Sequence, residues 1–159
     1  MKYLLLIICL AFTQIHMAQT YPETLPEFEI FSLNGKTFDQ DQVKKGSYSY
    51  FVYYNPTCGH CVNAFKLLNL KSDQIKDAEV EIYTISANTV EQTQQFFENQ
   101  APLLKDLKNI HILRDEDYRF ADIFGVGPFP TAFLYDDSQN LVKVMEGTSQ
   151  VVLFMNDLP

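Results

Sequence analysis

Apolar positions along the chain follow two periods. Ser47 to Tyr54 is a run of Tyr, Phe and Val on both parities, the mark of a central strand covered on both faces. Val62, Phe65, Leu68 and Ile75 then recur at helical spacing. Glu79 to Ser86, with Val80, Ile82, Tyr83 and Ile85, predicts a second buried strand. Thr89 to Gln100 predicts a helix capped by Asn88 or Thr89. Pro102 interrupts it, and Leu103, Leu104 and Leu107 predict another turn or two. Ile110 to Leu113 predicts a short strand. Asp115 should cap a short helix with Tyr118, Ala121 and Phe124, stopping at Gly125. Thr131 to Tyr135 and Leu141 to Glu146 predict strands joined by a turn over Asp136 to Asn140. Thr148 or Ser149 should cap a last helix of about two turns carrying Val151, Val152, Phe154 and Met155.

Ahead of these elements, Tyr21 to Pro26 reads as an extended lead-in. Phe28, Ile30 and Leu33, then Asn34-Gly35, then Thr37 and Phe38, predict a small β-hairpin, because Asn-Gly suits a left-handed turn. The order is hairpin, β, α, β, α, β, α, β, β, α. It predicts an α/β fold: a mixed central sheet with helices on both faces. No repeat, low-complexity tract or linker divides it.

The N-terminus changes the picture. Lys2, an apolar run from Tyr3 to Phe12, and Thr13 to Ala18 have the layout of a secretory signal. The apolar run is about half of the roughly 20 residues a membrane span needs. The expected organisation is a signal peptide over residues 1–18 and one domain over residues 19–159. Cleavage removes Lys2 and no carboxylate, so a chain of formal charge −8 becomes more acidic still. That balance argues against nucleic acid and anionic membranes as partners. It also removes Cys9, leaving Cys58 and Cys61. One close pair does not make a disulfide scaffold, and so short a closed loop removes little chain entropy.

These two cysteines stand in Asn55-Pro56-Thr57-Cys58-Gly59-His60-Cys61, between the first buried strand and the helix. Unpaired N–H groups and the positive dipole end at a helix start favour a thiolate at Cys58. Cys61 lies one turn deeper on the same face. Spacing alone leaves thiol exchange and metal binding both open. Zinc needs two more ligands, and the histidines beyond the signal are His60 and His111. His60 stands two residues from Cys58, badly placed to share its metal. His111 reads as a strand-edge histidine, with a copper ligand as its alternative. Asp115-Glu116-Asp117 reads as a solvated helix N-terminus rather than a calcium site.

Strand, Cys-x-x-Cys, helix, strand, helix and then Phe129-Pro130-Thr131 before a hairpin resembles the thioredoxin-like arrangement. The leading segment from Pro26 to Phe38 resembles the TlpA-like exported branch, and Cys58-Gly59-His60-Cys61 matches the tetrapeptide of protein disulfide isomerases. The resemblance covers roughly residues 25–156. It implies a three-layer sandwich and a thiol–disulfide oxidoreductase with a redox-active Cys58–Cys61 disulfide and no cofactor. Cys58 would attack, Cys61 would resolve and His60 would tune the thiolate. Phe129-Pro130 would be cis and would present the client, with Gly59 permitting close approach and Thr57 lying at the contact surface. The implied partners are client proteins with thiols or disulfides and an upstream redox protein. The implied setting is a monomer exported to the periplasm or the exterior. A non-catalytic or copper-handling module of the same fold is the alternative.

The chain departs from that pattern at three positions. Thr57 stands where a Trp is usual, and it is available as a helix N-cap. Val52 and Ala64 stand where related proteins carry an acid that accepts the second thiol's proton. A peroxidase would carry Thr at position 55; this chain has Asn55.

Overall fold

The computed structural model describes residues 21–158; the leader expected over residues 1–18, with Cys9, lies outside them. Strands β1 (Glu29–Ser32) and β2 (Thr37–Asp39) form the expected antiparallel hairpin. Its turn is longer than two residues. Gly35 takes a left-handed φ of 78°, while Asn34 accepts through Oδ1 from Ser32 Oγ and Lys36 N. The central strand β3 (Tyr48–Tyr53) leads to α1 (Gly59–Leu70), α2 (Ser72–Asp77) and β4 (Val80–Ser86). Next come α3 (Val90–Gln100), α4 (Pro102–Lys105), β5 (Ile110–Arg114) and α5 (Arg119–Phe124). The chain closes with β6 (Thr131–Tyr135), β7 (Leu141–Glu146), α6 (Gly147–Val151) and a 3-10 turn over Phe154–Asp157.

All seven strands form one mixed sheet in the order β2-β1-β5-β4-β3-β6-β7. β3, β4 and β5 run parallel, and antiparallel pairs flank them. Period-two alternation on β3 builds two cores. Tyr50 and Val52, with Tyr54 just beyond, face Phe65, Ile75, Phe97, Leu104 and Phe154. Phe51 and Tyr53 face Phe28, Tyr83, Phe120 and Phe124 on the other side. The helices therefore cover both faces, with α5 opposite α1 and α3.

Buried phenols usually give their hydroxyls a partner, and all but Tyr54 among the large buried tyrosines do so here. Tyr50 Oη donates to Val151 O at 2.7 Å, Tyr53 Oη to Asp115 Oδ2 at 3.0 Å and Tyr135 Oη to Pro22 O at 3.1 Å. Tyr83 Oη accepts from Lys44 N at 3.0 Å. Each bond ties the sheet to a segment with little regular structure of its own.

Local signals resolve as expected at the start of α3 and in part at the start of α5, where Tyr118 is an exposed, left-handed N-cap rather than part of the helix's apolar face. Thr89 caps α3 in a reciprocal box with Gln92. Asp115 accepts from Phe120 N and Ala121 N at the start of α5, and Gly125 ends that helix in a left-handed conformation. Two readings need correction. The helical stripe from Val62 to Ile75 is not one helix: it is broken at Lys71, whose N–H bonds back to Leu68 O, and Ile75 lies on a second short helix. The last helix is a single turn that starts at Gly147, and Thr148 does not cap it.

Candidate active site

The site lies where β3 ends and α1 begins. Asn55 organises the turn between them. Its carbonyl accepts from Cys58 N at 3.0 Å, and its Oδ1 accepts from both Thr57 N and Thr57 Oγ1 at 2.9 Å. Its own N–H donates to Cys61 Sγ at 3.4 Å. Thr57 is thus not the N-cap. Cys58 holds that position in an extended conformation, its carbonyl accepting from Val62 N, while the Thr57 hydroxyl is engaged by Asn55.

The two thiols are both free and differ sharply in environment. Cys58 is half-buried, and its Sγ–H points to the carbonyl of Phe129 at 3.8 Å. Cys61 is fully buried within the core that holds Tyr54, Ala64 and Phe65. Burial pushes its thiol up to about 12, against the lowering pull of the Asn55 N–H. Cys61 is therefore a neutral thiol near pH 7, and Cys58 is the sulfur an incoming molecule meets.

Phe129-Pro130 is cis, as the resemblance implies. Pro130 is buried, and its carbonyl accepts from Gly147 N at 2.8 Å. Thr131 Oγ1 closes the turn by donating to Pro128 O. The Phe129 ring remains 37% exposed and stacks on Tyr53 at 5.9 Å. Tyr53 is in turn anchored by Asp115, a buried carboxylate that also holds the start of α5. Thr148 Oγ1 donates to His60 O at 2.9 Å, tying α6 to the first turn of α1.

Gly59 and His60 are exposed beside Cys58. The His60 imidazole has no hydrogen-bond partner among the described residues. A Cβ on Gly59 would meet nothing within 4 Å. The structure thus exposes Thr57, Gly59 and His60 around the half-buried Cys58, which faces Phe129, with Cys61 and Pro130 buried behind them. His111 lies elsewhere: its Nε2 is 2.8 Å from Glu81 Oε2, and its ring stacks on Tyr83, on the sheet face opposite Cys61. Among the described residues, no cluster of three or more His, Cys, Asp or Glu side chains is arranged to hold a metal. Val52 and Ala64 lie in the core near Cys61, so no carboxylate occupies either position. Sequence reasoning missed Asn55 and Thr148. The Asn-Pro dipeptide is a turn signal that points to the first; no local signal marks the second.

A mixed sheet covered on both faces, a Cys-x-x-Cys at the helix after its central strand and a cis-proline turn opposite define a thioredoxin-like protein. The chain belongs to the AhpC/TSA family, whose profile matches residues 22–144. It is 25% identical over 122 residues to the thiol-disulfide oxidoreductase ResA of Bacillus anthracis, covering 77% of this chain and 67% of that protein. Two solved structures show the same fold. MTB dsbF, in mixed oxidized and reduced forms, superimposes with a TM-score of 0.68 at 20% identity, covering 86% of this chain and 96% of that one. A putative thiol:disulfide interchange protein DsbE from Chlorobium tepidum gives 0.65 at 18% identity, covering 82% and 87%.

Proposed function

We propose that the protein is an exported thiol–disulfide oxidoreductase acting on client proteins. One observation carries this reading: a half-exposed Cys58 at the start of α1 faces the Phe129 carbonyl, with Cys61 buried one turn behind it. The Cys58 thiolate attacks a client disulfide, forming a mixed disulfide and releasing the client's other sulfur as a thiolate. Cys61 loses its proton as it attacks Cys58, and the client's second sulfur leaves. Protein dithiol and client disulfide become protein disulfide and client dithiol, a transfer of two electrons. The same steps run in reverse from the oxidised protein. Phe129 and Pro130 hold the client segment, Gly59 and Thr57 border it, and no cofactor takes part.

Reduction of insulin disulfides by dithiothreitol tests the reading. Catalysis by the wild type and none by Cys58→Ser supports it; equal activity in the variant refutes it and leaves a non-catalytic or copper-handling module. Cys61→Ser should accumulate a client disulfide on Cys58, detected as a mass adduct lost on reduction.

The redox direction follows from His60 beside the attacking cysteine and from the absence of a carboxylate at Val52 and Ala64. Both favour a moderately oxidising couple, in the upper half of the range from about −270 to about −180 mV. Equilibration with glutathione reads this directly, and a value below about −260 mV is incompatible with it. Residues 1–18 would be removed on export to the periplasm or exterior, leaving a monomer; mass spectrometry of the secreted chain gives the cut. Among the described residues, no helix is long and apolar enough to cross a membrane.

A further inference from the structure

Beside Cys58 the surface opens into a groove of about 310 Å³ between the active-site turn and α3. One wall is Pro56 and Thr57. The other is a stripe of α3 that bears Gln92, Gln95, Asn99 and Gln100 around Phe96. These positions recur at i, i+3, i+4, i+7 and i+8, so they share one helical face. Glu98 lies off that face, and Glu91 stays at its edge, where its carboxylate accepts from Gln95 Nε2 at 3.4 Å. A chain with 12 cationic and 20 acidic side chains thus presents a lining without a single charge next to its reactive thiol.

The floor is aromatic. Phe96 is buried, its ring held by Tyr54 at 4.9 Å and Phe65 at 5.0 Å. The Thr57 wall is fixed in advance by its two bonds to Asn55. The side-chain amides of Asn99 and Gln100 have no partner among the described residues, and each offers both a donor and an acceptor.

We propose that this groove receives an uncharged aromatic or aliphatic side chain that neighbours the client's reacting half-cystine. The inference rests on the oxidoreductase reading and names the client feature selected. Thr57, which lines the groove, directly precedes Cys58, so a client sulfur on Cys58 carries its adjacent residue to the groove mouth. An apolar side chain packs on Pro56 and the remaining exposed edge of Phe96, and the client's peptide groups pair with Asn99 and Gln100. A charged side chain would lose water there, with no charge in the lining itself and Glu91 at the edge already engaged by Gln95.

The test uses the reduced full-length protein and symmetric disulfides of a short capped peptide, with Phe, Ser, Lys or Glu beside the cysteine. Hydroxyethyl disulfide is the common reference. The second-order rate constant for the Phe peptide, relative to that reference, should exceed the other three by at least fivefold. Gln95→Glu and Asn99→Lys, which add opposite charges, should each reduce that preference to less than twofold. Equal rates for the four peptides, a preference for Lys, or a Phe preference that survives both variants would overturn the proposal. Failure to reduce even hydroxyethyl disulfide would instead refute the oxidoreductase reading itself.

Discussion

At the scale of the residue, Gly59 separates a structural role from a functional one. It lies in the exposed first turn of α1, without a left-handed φ and with open space where a Cβ would go. Nothing in the fold requires glycine. Gly59→Ala should therefore leave the urea midpoint unchanged or raise stability by about 0.5 kcal/mol. The same change should slow insulin reduction several-fold while affecting hydroxyethyl disulfide less, because the methyl group meets only a large client. A second prediction concerns Cys61. In Cys58→Ser, which removes the part of the upward shift that Cys58 causes but not the larger part caused by burial, its alkylation by iodoacetamide should still climb with pH well beyond pH 8. A plateau near pH 8 would mean that some group relieves the burial. The cysteine pair was legible because Cys-x-x-Cys spacing places two thiols on one helical face whatever surrounds them. Asn55 was not legible as the organiser of the turn, because its four hydrogen bonds depend on a backbone path that the Asn-Pro signal only suggests.

At the scale of the element, the buried carboxylates explain how strands and helices are joined. Glu81 on β4 is almost covered, yet it accepts from Lys44 Nζ at 2.6 Å and lies 2.8 Å from His111 Nε2. Burial alone would raise its pKa, but the hydrogen bonds from Lys44 and His111 outweigh it and the net shift is downward. A carboxylate with a lowered folded pKa stabilises the fold above its unfolded value and loses that contribution as pH falls through the folded one. Glu81→Gln should thus cost about 2 kcal/mol at pH 7. The difference from wild type should shrink as the pH falls below about 4.5, read from urea unfolding at several pH values. Asp115 joins α5 to β3 in a similar way. Asp115→Ala removes two helix-start bonds and the Tyr53 partner together, so it should destabilise by about 2 kcal/mol or more. Strand and helix identities were readable from period and caps alone. The break at Lys71 and the single-turn α6 were not, since each is set by what the segment packs against rather than by its own residues.

At the scale of the whole molecule, the last dozen residues close the fold over the site, and their contribution can be weighed. Val151, Val152 and Phe154 are buried in the core that contains Cys61, and Phe154 stacks on Tyr50 at 4.1 Å. At about 2 kcal/mol each, three such side chains amount to about 6 kcal/mol. That is comparable with the entire stability of an ordinary domain, about 5–15 kcal/mol. Deleting residues 147–159 also leaves Tyr50 Oη without the Val151 carbonyl and frees the Pro130 carbonyl from Gly147. The truncated chain should therefore lose cooperative unfolding, with broadened amide spectra and no sharp thermal transition. Thr148→Val tests the functional half of the same connection without that collapse. Its hydroxyl bond to His60 O is exposed and adds at most about 1 kcal/mol to stability, so the fold should persist. What changes is the anchoring of the turn that carries Cys58, and client reduction should fall two- to fivefold with the urea midpoint nearly constant. If turnover holds while stability drops, α6 is a buttress of the core alone. If turnover falls at constant stability, the C-terminal turn is part of what positions Cys58.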